Sequence, residues 1–319
     1  MSAVFTGRLL PLFLAPVLTI SLLWIPALGS TPRKRSKSDR NIDAIGHRKI
    51  AWDRNWYSLA REKELGEKFS AGIERSIPVL QDPAVGAYID SLLQHIAQNS
   101  DAQMQVTVRI VNSNEVRAFT TFGGHQYITS GLILQLSSEG ELAGVLARGV
   151  AHTALRSATV ELTRSNLLQM ASAIAWPGQN GSGSSPLATP GEIGLGAPLA
   201  LLSSRRAGEL DADYFGIQYL YKSGYDTDCF LSAIQRISSA TPSNPTLDAF
   251  SPFPPTSDRL TALKKEVAEI LPRRDGATVS SPEFDQFQER LRSLKPPEPD
   301  PMPKLVRRDP PSLNARPSI

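Results

Sequence analysis

The segment that most constrains the fold is a helix with a clear start signal. Ser138-Glu139-Gly140-Glu141 reads as a capping box, with Ser at the N-cap and Glu at the third helical position. The helix it launches runs through Leu142, Val145 and Leu146 toward Thr159 and carries His152. A helix with this apolar spacing needs other elements to cover it. Two helices are expected upstream. From Tyr57 to Ile77 the apolar positions Leu59, Leu65, Phe69, Ile73 and Ile77 recur at helical spacing. Asp82-Pro83 then supplies an N-cap and a first-turn proline, with Val85, Tyr88, Ile89, Leu92 and Ile96 on one face. Val106, Val108 and Ile110 alternate as in a half-buried strand, and a second strand is expected from Gln126 to Thr129 after the Gly123-Gly124 turn. Downstream, a Gly/Ser/Pro-rich loop spans residues 176–196, a long helix runs from about Ser204 to Ser223 and stops at Gly224, and helices start near Asp228, Ser257 and Ser281. This order gives an α+β fold, mostly helical, with a small β unit.

The ends of the chain differ from its middle. Arg8 followed by an apolar run from Leu9 to Pro26 and then Ala27-Leu28-Gly29 reads as an export signal over residues 1–29, either cleaved or kept as an N-terminal anchor. Pro11, Pro16 and Pro26 interrupt that run, and the cluster Arg33, Lys34, Arg35, Lys37 and Arg40 follows it. Residues 30–55 read as a basic linker. The last 24 residues hold eight prolines and read as a disordered tail over 296–319. The net charge of +3 is concentrated at these ends, so it does not argue for nucleic acid as a partner. With one cysteine, Cys229, neither an intramolecular disulfide nor a thiolate metal cluster can form. Its place in the first turn of an amphipathic helix suits a buried structural thiol.

A zinc peptidase places two His at i and i+4 on one helix face with a Glu base beside the first, and takes a third ligand from another helix. Here His152 stands at the second-ligand position, but Arg148 lies four residues earlier with Gly149 beside it. His152 alone would carry no inference. The stretch Glu141-Leu142-Ala143-Gly144-Val145 through His152, however, resembles the zinc metallopeptidase family of the type-one CAAX prenyl protease, HtpX and the periplasmic β-barrel-assembly-enhancing protease, whose members read E-L-A-G-V-x-A-H-E-x-A-H. Glu209-Leu210-Asp211-Ala212-Asp213 matches that family's E-x-x-A-D third-ligand motif, and Val116 to Ile133 resembles its N-A-F-x-x-P-G-G strand and turn. The resemblance covers roughly residues 56 to 295 and implies a gluzincin-type domain.

By the same resemblance, His152 and Glu209 would be metal ligands, Asp213 would stand behind them, and Ala118, Phe119, Gly123 and Gly124 would line the substrate side of the cleft. Zinc is the family's cofactor, but the departures fall on the chemistry. Arg148 replaces the first ligand, and a guanidinium has no lone pair to give. Gly149 replaces the general base, a group worth roughly 10²–10⁴ in rate. Ser157, Phe253 and Arg117 replace a His, a His and an Asn of the family pattern. His125, at the start of the second strand, is the one histidine near the expected cleft that could substitute. The resemblance therefore implies an exported, periplasmic or extracellular pseudopeptidase that binds unfolded or envelope proteins or a protein partner, touching membrane only through the N-terminal segment. The alternative is a working metalloendopeptidase with an atypical site. Without a metal, two carboxylates would face each other, so Arg148 is expected to pair with Asp213, Glu209 or both.

Overall fold

The computed structural model describes residues 35–50, 55–175, 196–240 and 255–294. The export signal, residues 176–195 of the expected loop, Phe253 and the Pro-rich tail lie outside the described residues. A short N-terminal helix, α1 (Lys37–Arg40), precedes α2 (Leu59–Glu74) and α3 (Pro83–Gln98). Three strands follow, β1 (Thr107–Val111), β2 (Ala118–Thr120) and β3 (His125–Thr129). The remaining helices are α4 (Ser130–Gln135), α5 (Glu139–Ala154), α6 (Ser157–Ala175), α7 (Gly196–Lys222), α8 (Thr227–Ala240), α9 (Thr256–Ile270) and α10 (Pro282–Ser293). The fold is α+β and mostly helical.

The helix α5 is the centre of the domain. Leu142, Ala143, Leu146, Ala147, Val150 and Ala151 are at most 1% exposed, and α7 and α8 pack against it. Each large apolar side chain buried there contributes about 1.5–3 kcal/mol relative to exposure. Its N-terminus is capped as expected, Ser138 Oγ accepting from the Glu141 N–H at 3.2 Å. The Glu141 carboxylate accepts instead from the Ser137 N–H, one residue earlier than a capping box would have it, at 2.6 Å. Cys229 is buried beside this cap, and burial pushes its thiol up to about 11.

The sheet has order β1-β3-β2, with β1 parallel and β2 antiparallel to β3. Beyond β1, Leu80 N–H and Asn112 N–H bond across to Ile110 and Pro78 carbonyls, which covers that side. Among the described residues no strand pairs with the far side of β2. The turn between β2 and β3 requires glycine: Gly123 and Gly124 have φ of 72° and 84°.

Five features differ from the sequence reading. The helix from Ser138 ends at Ala154 rather than near Thr159, because Arg156 takes a left-handed φ of 56°. Its guanidinium reaches Glu62 at 2.7 Å and the Tyr57 carbonyl, and Thr159 donates to the same Glu62 carboxylate at 2.8 Å. The apolar stripe on α2 is not its buried face. Glu62, Gly66 and Ser70 are buried, whereas Leu59 and Phe69 are 36% and 50% exposed. The helix α7 starts at Gly196, eight residues before the expected Ser204, and the segment Ser130–Gln135 is a helix capped by Thr129. Finally, residues 35–50, within the expected linker, fold onto the domain. Arg48 is 4% exposed and pairs with Asp101 at 2.6 Å, where Tyr219 Oη also donates at 2.9 Å.

Candidate functional site

Residues four apart lie one above the other on a helix face. Arg148 and His152 therefore share one face of α5, and Glu209 and Asp213 share one face of α7. The two faces meet. Gly216 permits the approach: a Cβ there would stand 3.0 Å from the Arg148 Cα. Arg148 donates through Nε to Asp213 Oδ1 at 2.9 Å and through Nη2 to Glu209 Oε2. His152 Nε2 lies 3.6 Å from the same Glu209 oxygen, and its Nδ1 meets Ser157 Oγ at 3.2 Å.

A second arginine completes the cluster. Arg259 on α9 grips Asp213 with two bonds, Nε to Oδ2 at 2.7 Å and Nη2 to Oδ1 at 2.9 Å. The Asp213 side chain is 2% exposed. Burial alone would raise its carboxyl, but Arg259 and Arg148 outweigh burial and hold it below the usual carboxylate range. Burial and the charge of Arg148 push His152 down to about 3, so its imidazole is neutral at physiological pH. Asp213 is thus clamped between two guanidiniums, Glu209 bonds to one of them, and a neutral imidazole lies beside them.

Gly149 has a matching feature across the cleft. A Cβ at this position would fall against Gln126 Oε1 and Cδ and 2.8 Å from its Nε2. The carboxamide of Gln126, on β3, thus fills the space that a side chain at 149 would need. A hollow of about 950 Å³ opens beside these residues. Ala118 and Phe119 line it, as do Arg148, Gly149, His152 and Glu209. Gly123 and Gly124, expected on the substrate side, are buried and line no part of it. Instead they support the turn beneath α2, where a Cβ on Gly123 would stand 3.1 Å from Gly66 Cα. His125 also stays out of the hollow and pairs with Thr107 Oγ1 at 2.9 Å.

The family model for Peptidase family M48 matches residues 83–267, which include α5, α7 and Arg259 of this cluster. The chain belongs to peptidase family M48. The beta-barrel assembly-enhancing proteases of Yersinia pestis and Escherichia coli K12 are each 28% identical to it, over 188 and 190 residues. A putative beta-barrel assembly-enhancing protease of Vibrio cholerae is 29% identical over 191 residues. These alignments take in 56% of this chain and only 38–39% of the relatives, so the M48 chain here spans well under half the length of the proteins it matches.

M48 peptidases are in general zinc-dependent, and the residues of this M48 domain do not fit that ion. Such a site takes three protein donors and leaves one position open. Arg148 offers no donor to a metal, and its charge opposes a cation. Glu209 already accepts from Arg148. Among the described residues no group of three His, Cys, Asp or Glu is placed to hold a metal.

The sequence reading missed Arg259 and Gln126. Arg259 left a signal, since it lies six residues past Phe253, one of the positions where the sequence departs from the pattern it otherwise resembles. Gln126 left none, because only tertiary packing sets its carboxamide against Gly149.

Proposed function

We propose that this M48 domain is a pseudopeptidase of the cell envelope, which holds extended segments of unfolded proteins in its cleft without cleaving them. The observation that carries this reading is the Arg148 guanidinium, bonded to Glu209 and Asp213 where the family pattern would put a divalent ion. The cleft persists beside this altered centre. Its hollow is open, and β2 lines it with no strand paired on its far side among the described residues. An extended peptide can add to such an edge through main-chain hydrogen bonds. The export-like N-terminus and the relatives' name, which couples a protease to β-barrel assembly, support an envelope location and unfolded envelope proteins as clients.

The test incubates purified protein with fluorescent unfolded casein and zinc. The expected result is binding of casein with no fragments above background. Fragments that disappear in the His152→Ala variant would overturn the proposal and favour a working metalloendopeptidase with an atypical site.

A further inference from the structure

We propose that the cleft selects extended segments that combine apolar residues with Asp or Glu; this rests on the peptide-binding reading above. Its walls are apolar where Val145, Phe230, Ile234 and Ile237 line it. Its charged lining is lopsided, with Arg117, Arg148, Arg164, Arg205 and Arg259 set against Glu161 and Glu209. Adding Asp213 behind Arg148 and Glu115 beside Arg117 makes five arginines to four carboxylates, and Asp211, which also acts on Arg164, is itself paired with Arg35. Two of these arginines keep donor capacity toward the open side. Arg205 is bonded to Glu161 through Nε at 2.8 Å and is 53% exposed. Arg117 approaches Glu115 only to 3.7 Å, both side chains being 68% exposed. A guanidinium fork suits a carboxylate bidentately, so these two form the acid-recognising mouth of the hollow.

Gln126 supplies an independent observation. It lines the hollow, is 4% exposed, and its Nε2 is buried without a hydrogen-bond partner among the described residues. A buried donor left unpaired lowers stability, and a ligand acceptor would relieve that cost. A peptide carbonyl passing along β2 offers such an acceptor, while the arginines at the mouth take the acidic side chain. The altered centre is then a neutral, clamped floor beneath a cleft that reads peptides by apolar contact and charge.

The test uses fluorescence anisotropy with two short labelled peptides, one alternating Leu and Val with Glu, the other with Lys at every Glu. The Glu peptide is expected to bind about fivefold tighter or more at low salt, with the difference shrinking at high salt. Arg205→Glu, a change at an exposed position, should erase most of that preference. Gln126→Leu should weaken both peptides while raising Tm, a pairing of effects that a purely structural glutamine would not give. Equal binding of the two peptides would overturn the acidic preference and leave the cleft as a peptide site. Binding of neither would overturn the peptide-binding reading as well.

Discussion

Replacing Asp213 with alanine is expected to cost about 3–5 kcal/mol of folding stability, measured by chemical denaturation. Asp213 is the hub of the cluster, since both Arg148 and Arg259 bond to it and its side chain is almost wholly buried. Its removal leaves two guanidiniums facing one another, with Glu209 the carboxylate that remains bonded to Arg148. Arg148→Ala should cost less, about 2 kcal/mol, because Asp213 keeps both bonds from Arg259 and only Glu209 loses its main partner. The order of the two effects tests the geometry independently of their size. Linkage fixes the pH dependence. The Asp213 carboxyl is held below its ordinary 3.8, so its contribution is present above that pH and is lost as pH falls through the folded-state value. A loss below about 1 kcal/mol at neutral pH would mark the cluster as an exposed, incidental contact.

The second large effect reverses sign with the background. Glycine within a helix costs about 1 kcal/mol relative to alanine, so Gly149→Ala should stabilise α5 if space allowed. In the parent the new Cβ would stand 2.8 Å from Gln126 Nε2 and nearer still to the rest of that carboxamide, so the buried Gln126 side chain must give way. Overpacking of this kind costs about 1–3 kcal/mol, and the net result in the parent is a loss. In the Gln126→Ala background the obstruction is gone, and Gly149→Ala should become stabilising. A thermodynamic cycle over the four proteins should give a coupling of about 2 kcal/mol. Gly149→Glu meets the same clash and should likewise destabilise the parent. If Gly149→Ala is stabilising in the parent, Gln126 does not hold the space that the structure assigns to it.

Much of the fold is legible locally because its signals are local. Asp82-Pro83 starts α3, Gly224 at φ 91° ends the α7 region, and the alternation Val106, Val108, Ile110 places β1. The clustering of Arg148, His152, Glu209 and Asp213 was legible through two motifs that each keep one face of a helix. Several of the misreadings share a cause, because they depend on partners far away in the chain. The left-handed Arg156 is set by Glu62, 94 positions earlier. The packed segment around Arg48 depends on Asp101, and Arg259 reaches Asp213 from a third helix. On α2 the apolar periodicity marked a helix but not its buried face, since Gly66 lets the Phe122–Gly124 turn approach the polar side instead.

On the proposed reading, the Arg148 guanidinium bonds Glu209 and Asp213 in place of a divalent ion in this M48 site. Equilibrium dialysis against zinc, comparing the parent with Arg148→His, tests it most directly. That substitution supplies an imidazole i−4 to His152, completing with Glu209 the three donors a zinc site of this kind uses. The parent is expected to take up no zinc at micromolar metal, whereas Arg148→His is expected to bind about one zinc per chain with Kd below ~1 µM. Stoichiometric zinc in the parent, lost in both His152→Ala and Glu209→Ala, would contradict it.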